Sequence, residues 1–166
     1  MLQTLTTTLL PVLMIIAATS DVMSFRIPNW LTIITALSFF PLALATGMPL
    51  DVFGYHLLAG ALLFAAGFAL FSFGLFGGGD AKLIAAAGLW FGTANSISFI
   101  VLTVLAGGVL AIAVALWSAI NLHWESVESS WYKRFSAIKP NVPYGLAIAV
   151  GAIFAFPGTW WMGGHS

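Results

Sequence analysis

Cysteine is absent from the 166 residues, and charge is scarce: five Lys or Arg, five Asp or Glu, three His. Without cysteine there is no disulfide, no thiolate-bound zinc and no thiol nucleophile. A net charge of zero, with no basic run, removes the electrostatic basis for binding nucleic acid. Charged residues are 6% of the chain, against roughly 25% in soluble domains, so a soluble fold would have little with which to cover its surface. The histidines, at 56, 123 and 165, are too scattered for a metal site, and no His-Glu-x-x-His segment is present. No serine stands in a Gly-x-Ser-Gly elbow either.

What is present is hydrophobic: 61% of residues, with a mean hydropathy of +1.05. These residues come in long runs, not in alternation or single-faced stripes, which predicts helices apolar all round, in lipid. Strands of a membrane barrel would need short alternating segments. The runs predict an all-α integral membrane bundle of about six helices, at 2–20, 29–46, 52–74, 80–94, 96–121 and 143–162. The first lacks the basic start of a secretory signal and is expected to be a spanning helix. The fourth is short, about 22 Å at 1.5 Å per residue, bounded by Gly77-Gly78-Gly79 and by Gly92-Thr93-Ala94-Asn95-Ser96. Charge supports it. With six crossings, Arg26, Lys82, Lys133, Arg134 and Lys139 all fall on one side, which the positive-inside rule makes cytoplasmic. Both termini then lie outside. One domain, 1–166, is expected.

The polar stretch from Asn121 to Val142 carries Trp124, Val127, Trp131, Phe135 and Ile138 at helical spacing, with charges between. It reads either as an amphipathic helix in the interface or as a solvated loop with aromatics at headgroup level.

Five acids remain to be explained: Asp21, Asp51, Asp80, Glu125 and Glu128. Asp51 fits a loop or a helix N-cap, and the glutamates fit the polar face of the loop segment. Asp21 and Asp80 stand apart, because the topology brings both to the same membrane face. Two carboxylates in a partly dehydrated place meet the requirement of aspartyl proteolysis. One activates water as base, while the other, protonated, polarises the scissile carbonyl, and close carboxylates do not readily both ionise. Gly77, Gly78 and Gly79, lacking Cβ atoms, allow unusual backbone angles and close approach of another chain. Each feature alone has a plainer reading: an interhelical loop with Asp80 as N-cap, and Asp21 solvated at the interface or paired with Arg26. Lys82 is expected to snorkel to the interface. His56, inside the third span, is expected in a hydrogen-bonded helix–helix contact, and glycines 60, 67, 107, 108, 145 and 151 in close helix packing.

Asp21 followed by Arg26-Ile27-Pro28-Asn29, then Gly77-Gly78-Gly79-Asp80-Ala81-Lys82-Leu83, then Pro143-Tyr144-Gly145 resemble the type IV prepilin peptidases in order and placement. The Gly-x-Gly-Asp box, occupied here by Gly77 to Asp80, is the most specific part. The resemblance implies a bacterial inner-membrane aspartyl endopeptidase that cuts the leader from prepilins at the cytoplasmic face, after a glycine. Asp21 and Asp80 match the catalytic pair. Gly77, Gly78 and Gly79 match a substrate-adjacent loop, with Arg26, Asn29 and Lys82 as supporting residues. The partners implied are prepilins, each with a hydrophobic N-terminal helix, and the lipid bilayer; no metal or other cofactor is implied. The cysteine-rich region that accompanies N-methylation in longer members has no counterpart here, so the chain resembles the short branch found in tight-adherence (Flp) pilus systems. Two other readings stand beside it: a small proton- or cation-coupled transporter subunit, and a structural subunit of a pilus or secretion assembly.

Overall fold

The computed structural model describes residues 1–121 and 143–163, and the described residues are helical, with no strand among them. Five helices follow in order: α1 (Leu2–Ser24), α2 (Asn29–Ala45), α3 (Leu50–Ser72), α4 (Gly78–Asn121) and α5 (Tyr144–Ala155), the last running into a 3-10 turn, Phe156–Gly158. Three are long and apolar enough to cross a membrane: α1, α3 and Gly78–Trp117 of α4. α2 and Tyr144–Gly158 are shorter apolar helices. The amphipathic segment expected within Asn121 to Val142 lies outside the described residues from 122 onward, as do Glu125, Glu128, Lys133, Arg134, Lys139, His123 and His165.

Prolines and left-handed residues set the helix boundaries. Pro28, Pro49 and Pro143 stand at the N-caps of α2, α3 and α5, where a missing N–H costs nothing. α1 ends on Phe25 in the left-handed conformation (φ 52°), whose N–H bonds the Asp21 carbonyl. Asp21 therefore sits one turn inside α1, not at its end, because the helix runs four residues past the expected boundary. Asp51 is not an N-cap; it lies in the first turn of α3 behind Pro49.

α4 is one helical run only in name. At Gly92 the backbone is non-helical (φ 62°, ψ 178°), inside the turn expected from sequence, and the chain doubles back. Phe91 and Phe99 stack at 4.5 Å between ring centroids, a separation that eight residues of straight helix, about 12 Å long, would not permit. Before Gly92, the first arm of α4 runs antiparallel to α3: Gly67 meets Ala81, Gly60 meets Leu89, and Gly92 meets His56. It runs parallel to α2, with Lys82 reaching Asn29 and Trp90 reaching Thr35. The second arm lies along α5, with Gly107 near Ala147 and Gly151 against Thr103.

The reversal turns the N–H groups after Gly92 away from the last carbonyls of the first arm, which must find other donors. Two side chains supply them. The Trp161 indole donates to the Trp90 carbonyl at 2.8 Å. His56 Nδ1 lies 2.7 Å from the Leu89 carbonyl and acts as its donor. His56 is thus in the hydrogen-bonded helix–helix contact expected, and what it contacts is a helix end. Phe39 and Trp161 pack on its ring and Trp90 packs on both of them, each of the three with 2% exposure or less. This aromatic knot closes one end of the bundle. Large apolar side chains such as Leu62, Phe64, Phe68, Val104 and Val109 point outward, a surface suited to lipid.

Of the glycines expected to pack, Gly108 does not: a Cβ there would meet nothing within 4 Å. Its neighbour Gly107 takes the α5 contact, since the two lie about 100° apart around the helix.

Candidate functional site

The end opposite the aromatic knot gathers the C-terminal turn of α1, the link Phe25–Pro28, the start of α4 and the start of α5. A cavity of about 300 Å³ opens there, lined by Asp21, Arg26, Ile27, Gly77, Gly78, Gly79 and Asp80, with Phe25. The volume is at the lower end for ligand sites. Asp21 and Asp80 are close enough for their charges to interact. The structure thus brings together six of the eight expected site residues: the two aspartates, the three glycines and the supporting Arg26.

Asp21 is 95% buried, being 5% exposed. Its Oδ2 accepts the Gly145 N–H at 2.7 Å, while the neighbouring Leu146 N–H donates to the Pro143 carbonyl at 3.1 Å. Gly145 belongs to the first turn of α5, where its N–H lacks a helical partner and the macrodipole suits an anionic oxygen. Its hydrogen-bond partner is therefore a backbone N–H, and not the Arg26 of the plainer reading. Arg26 lines the same cavity and is exposed, and its carbonyl accepts from Ser20 and Ser24, which pins the link after α1.

Asp80 is half-buried in the third position of α4. It is not the N-cap; Gly77 is the residue before the helix, and the Asp80 carboxyl reaches back to the Gly77 N–H, as the third residue of a capping box does.

The glycines act differently from the expectation of unusual backbone angles. Positive φ occurs at Gly47, Gly74 and Gly92 among the described glycines, and not at Gly77, Gly78 or Gly79. Gly78 and Gly79 are the first residues of α4. What they supply is closeness. A Cβ at Gly77 would lie 2.6 Å from Asp80 Oδ2; at Gly78, 3.3 Å from the Phe71 ring; at Gly79, 3.3 Å from Ile27. Ile27 also meets the space over Gly145, at 2.9 Å from a Cβ there. One buried isoleucine thus spaces the α4 start from the α5 start, and Phe76 packs on Tyr144 with ring centroids 5.3 Å apart.

Asn29 and Lys82 are not in the cavity lining. The Lys82 ammonium donates to Asn29 Oδ1 at 3.0 Å, on the side of α4 that faces α2. Lys82 there borders a separate apolar groove of about 410 Å³ between α2, α3 and the first arm of α4. The sequence motifs contain Ile27 and Gly145 but do not show what they touch: Ile27 has no role there, and Gly145 reads as a packing glycine, without its bond to Asp21. The signal for the latter was its place two residues after Pro143, in the first turn of a helix.

Residues 8–112 match the family model described as the type IV leader peptidase family. The match includes both aspartates, Gly77 to Gly79, Arg26, Asn29 and Lys82, and ends before α5. Comparison with curated proteins and with solved structures gave no match.

Proposed function

This chain belongs to the type IV leader peptidase family, and we propose that it is a membrane-embedded aspartyl endopeptidase in which Asp21 and Asp80 form the catalytic pair. One observation carries the reading: two acids far apart in sequence face a single glycine-walled cavity at one end of an apolar bundle. The substrate is a prepilin of the Flp or type IVb kind. Its hydrophobic N-terminal helix lies among the spans, and its leader reaches the cavity as extended chain.

A water held between the carboxyls attacks the scissile carbonyl. One carboxylate takes the water's proton while the other carboxyl donates to the carbonyl oxygen, and the roles reverse as the amine leaves. The shared proton belongs to the pair, not to either residue. Neither a covalent intermediate nor a metal is needed for this step. Positioning and removal of bulk water supply the rate. The bundle has six crossings, counting the two arms of α4 separately, in the bacterial inner membrane. The carboxyl end faces the cytoplasm and both termini face outward.

The test is cleavage of an Flp-type prepilin in liposomes by wild type, Asp21→Asn and Asp80→Asn. Loss of cleavage in both folded variants supports the pair. Wild-type cleavage by either variant removes that residue from catalysis. Failure of the wild type on several prepilins returns weight to the transporter and structural readings.

A further inference from the structure

The Asp21 carboxyl does not hold its own position: it is seated on the first turn of α5. Oδ2 receives the Gly145 N–H at 2.7 Å, across 124 residues of sequence. The residue that brings this N–H within reach has to be glycine. A Cβ at position 145 would lie 2.8 Å from Asp21 Oδ2, 2.9 Å from Asp21 Cβ and 2.9 Å from Ile27 Cδ1. Backbone angle is not the cause, since Gly145 is helical and has no positive φ. Three neighbours converge on the missing side chain, and two of them belong to Asp21.

We propose that Gly145 is a positioning residue for the peptidase reaction, holding the Asp21 carboxyl toward Asp80 through the N-terminus of α5. The proposal rests on the reading of Asp21 as catalytic, and it assigns α5, which lies outside the matched residues 8–112, a part in the chemistry. Gly145 touches no substrate. It acts through Asp21, by donating one hydrogen bond and by leaving the volume that the carboxyl occupies. Ile27 Cδ1 closes the third side of that space.

The consequence is a kinetic signature. Adding a methyl at 145 moves the carboxyl, and a displacement near 1 Å at a reacting group costs about 100-fold in rate. Gly145→Ala is therefore expected to lower kcat about 100-fold with KM unchanged, in full-length protein reconstituted in liposomes with an Flp-type prepilin. Gly108→Ala, in open space on α4, serves as control and keeps wild-type kinetics. A second readout does not depend on how Gly145→Ala folds. In wild-type protein labelled with 15N-glycine, the Gly145 amide proton resonates downfield, and Asp21→Ala moves it upfield while leaving Gly108 in place.

The outcomes separate. If Asp21→Asn is inactive and Gly145→Ala has wild-type kcat, the positioning role is refuted and the catalytic pair stands. An active Asp21→Asn refutes the catalytic reading itself. A Gly145 amide unmoved by Asp21→Ala refutes the seat, whatever the kinetics.

Discussion

Gly151→Ala puts a number on how tightly α5 is held. Gly151 lies six residues along α5 from Gly145 and faces the second arm of α4. A Cβ at 151 would lie 2.6 Å from the Thr103 N and 2.8 Å from its Cα, and closer still to its hydroxyl. Ordinary contact begins at 3.4 Å, so α5 must retreat by about 0.8 Å (3.4 minus 2.6), because helix backbone cannot yield as a side-chain tip can. Overpacking of this kind costs about 1–3 kcal/mol, and alanine returns up to about 1 kcal/mol in helix propensity. The net is a loss of about 1–2 kcal/mol.

The same retreat carries the Gly145 N–H with it. Gly145 and Gly151 lie about 120° apart around the helix, so the retreat shifts the N–H sideways across the carboxyl and spoils the alignment of the 2.7 Å bond. Cleavage should fall by one to two orders of magnitude, while KM holds. The assays are thermal unfolding in detergent and initial-rate cleavage in liposomes. Thr103→Ala on top of Gly151→Ala should not restore either quantity, since the backbone contacts remain. A Gly151→Ala protein with wild-type melting and rate would refute the reasoning, and so would rescue by Thr103→Ala.

Three further outcomes follow from the same geometry. Trp161→Phe removes the donor to the buried Trp90 carbonyl and should destabilise by about 1–3 kcal/mol, read by reversible unfolding in mixed micelles; no change would mean that another donor caps that carbonyl. Lys82→Met should leave kcat far above that of either aspartate variant, because the ammonium bonds Asn29 and does not line the carboxyl cavity; a loss matching Asp80→Asn would instead give Lys82 a part in the acid pair's field. The chain has no cysteine, so single cysteines can report the proposed topology without background: Ser24→Cys and Phe73→Cys should react with an impermeant thiol reagent from one side of the membrane, and Gly47→Cys and Asn95→Cys from the other.

How much of this was legible beforehand depends on where the physics is local. The apolar runs mark out the helices because lipid demands them, and the prolines at 28, 49 and 143 mark helix starts because the missing N–H is harmless there. Gly92 marked the reversal that makes the long α4 run two arms. Asp21 and Asp80 could be singled out because so few acids compete with them. Their surroundings could not. Which N–H groups face Asp21 is decided by a helix 124 residues away, and a glycine that serves packing looks the same in sequence as one that admits a carboxyl. The extra turn that places Asp21 inside α1 depends on a left-handed Phe25, a conformation that no residue type announces. Gly108 was misread for a similar reason: adjacent glycines on one helix face different neighbours, and the direction of α5 decides which is used.

The central claim is that Asp21 and Asp80 act as one unit, and the double variant tests it most directly. Single-turnover cleavage of a prepilin should be measured for wild type, Asp21→Asn, Asp80→Asn and the double substitution, all folded in the same lipid. Groups that share one reaction step are strongly non-additive. The account predicts that each single change abolishes nearly all cleavage and that the double change loses little more. Independent losses that multiply in the double variant, or a single variant that still cleaves at the wild-type rate, would contradict it.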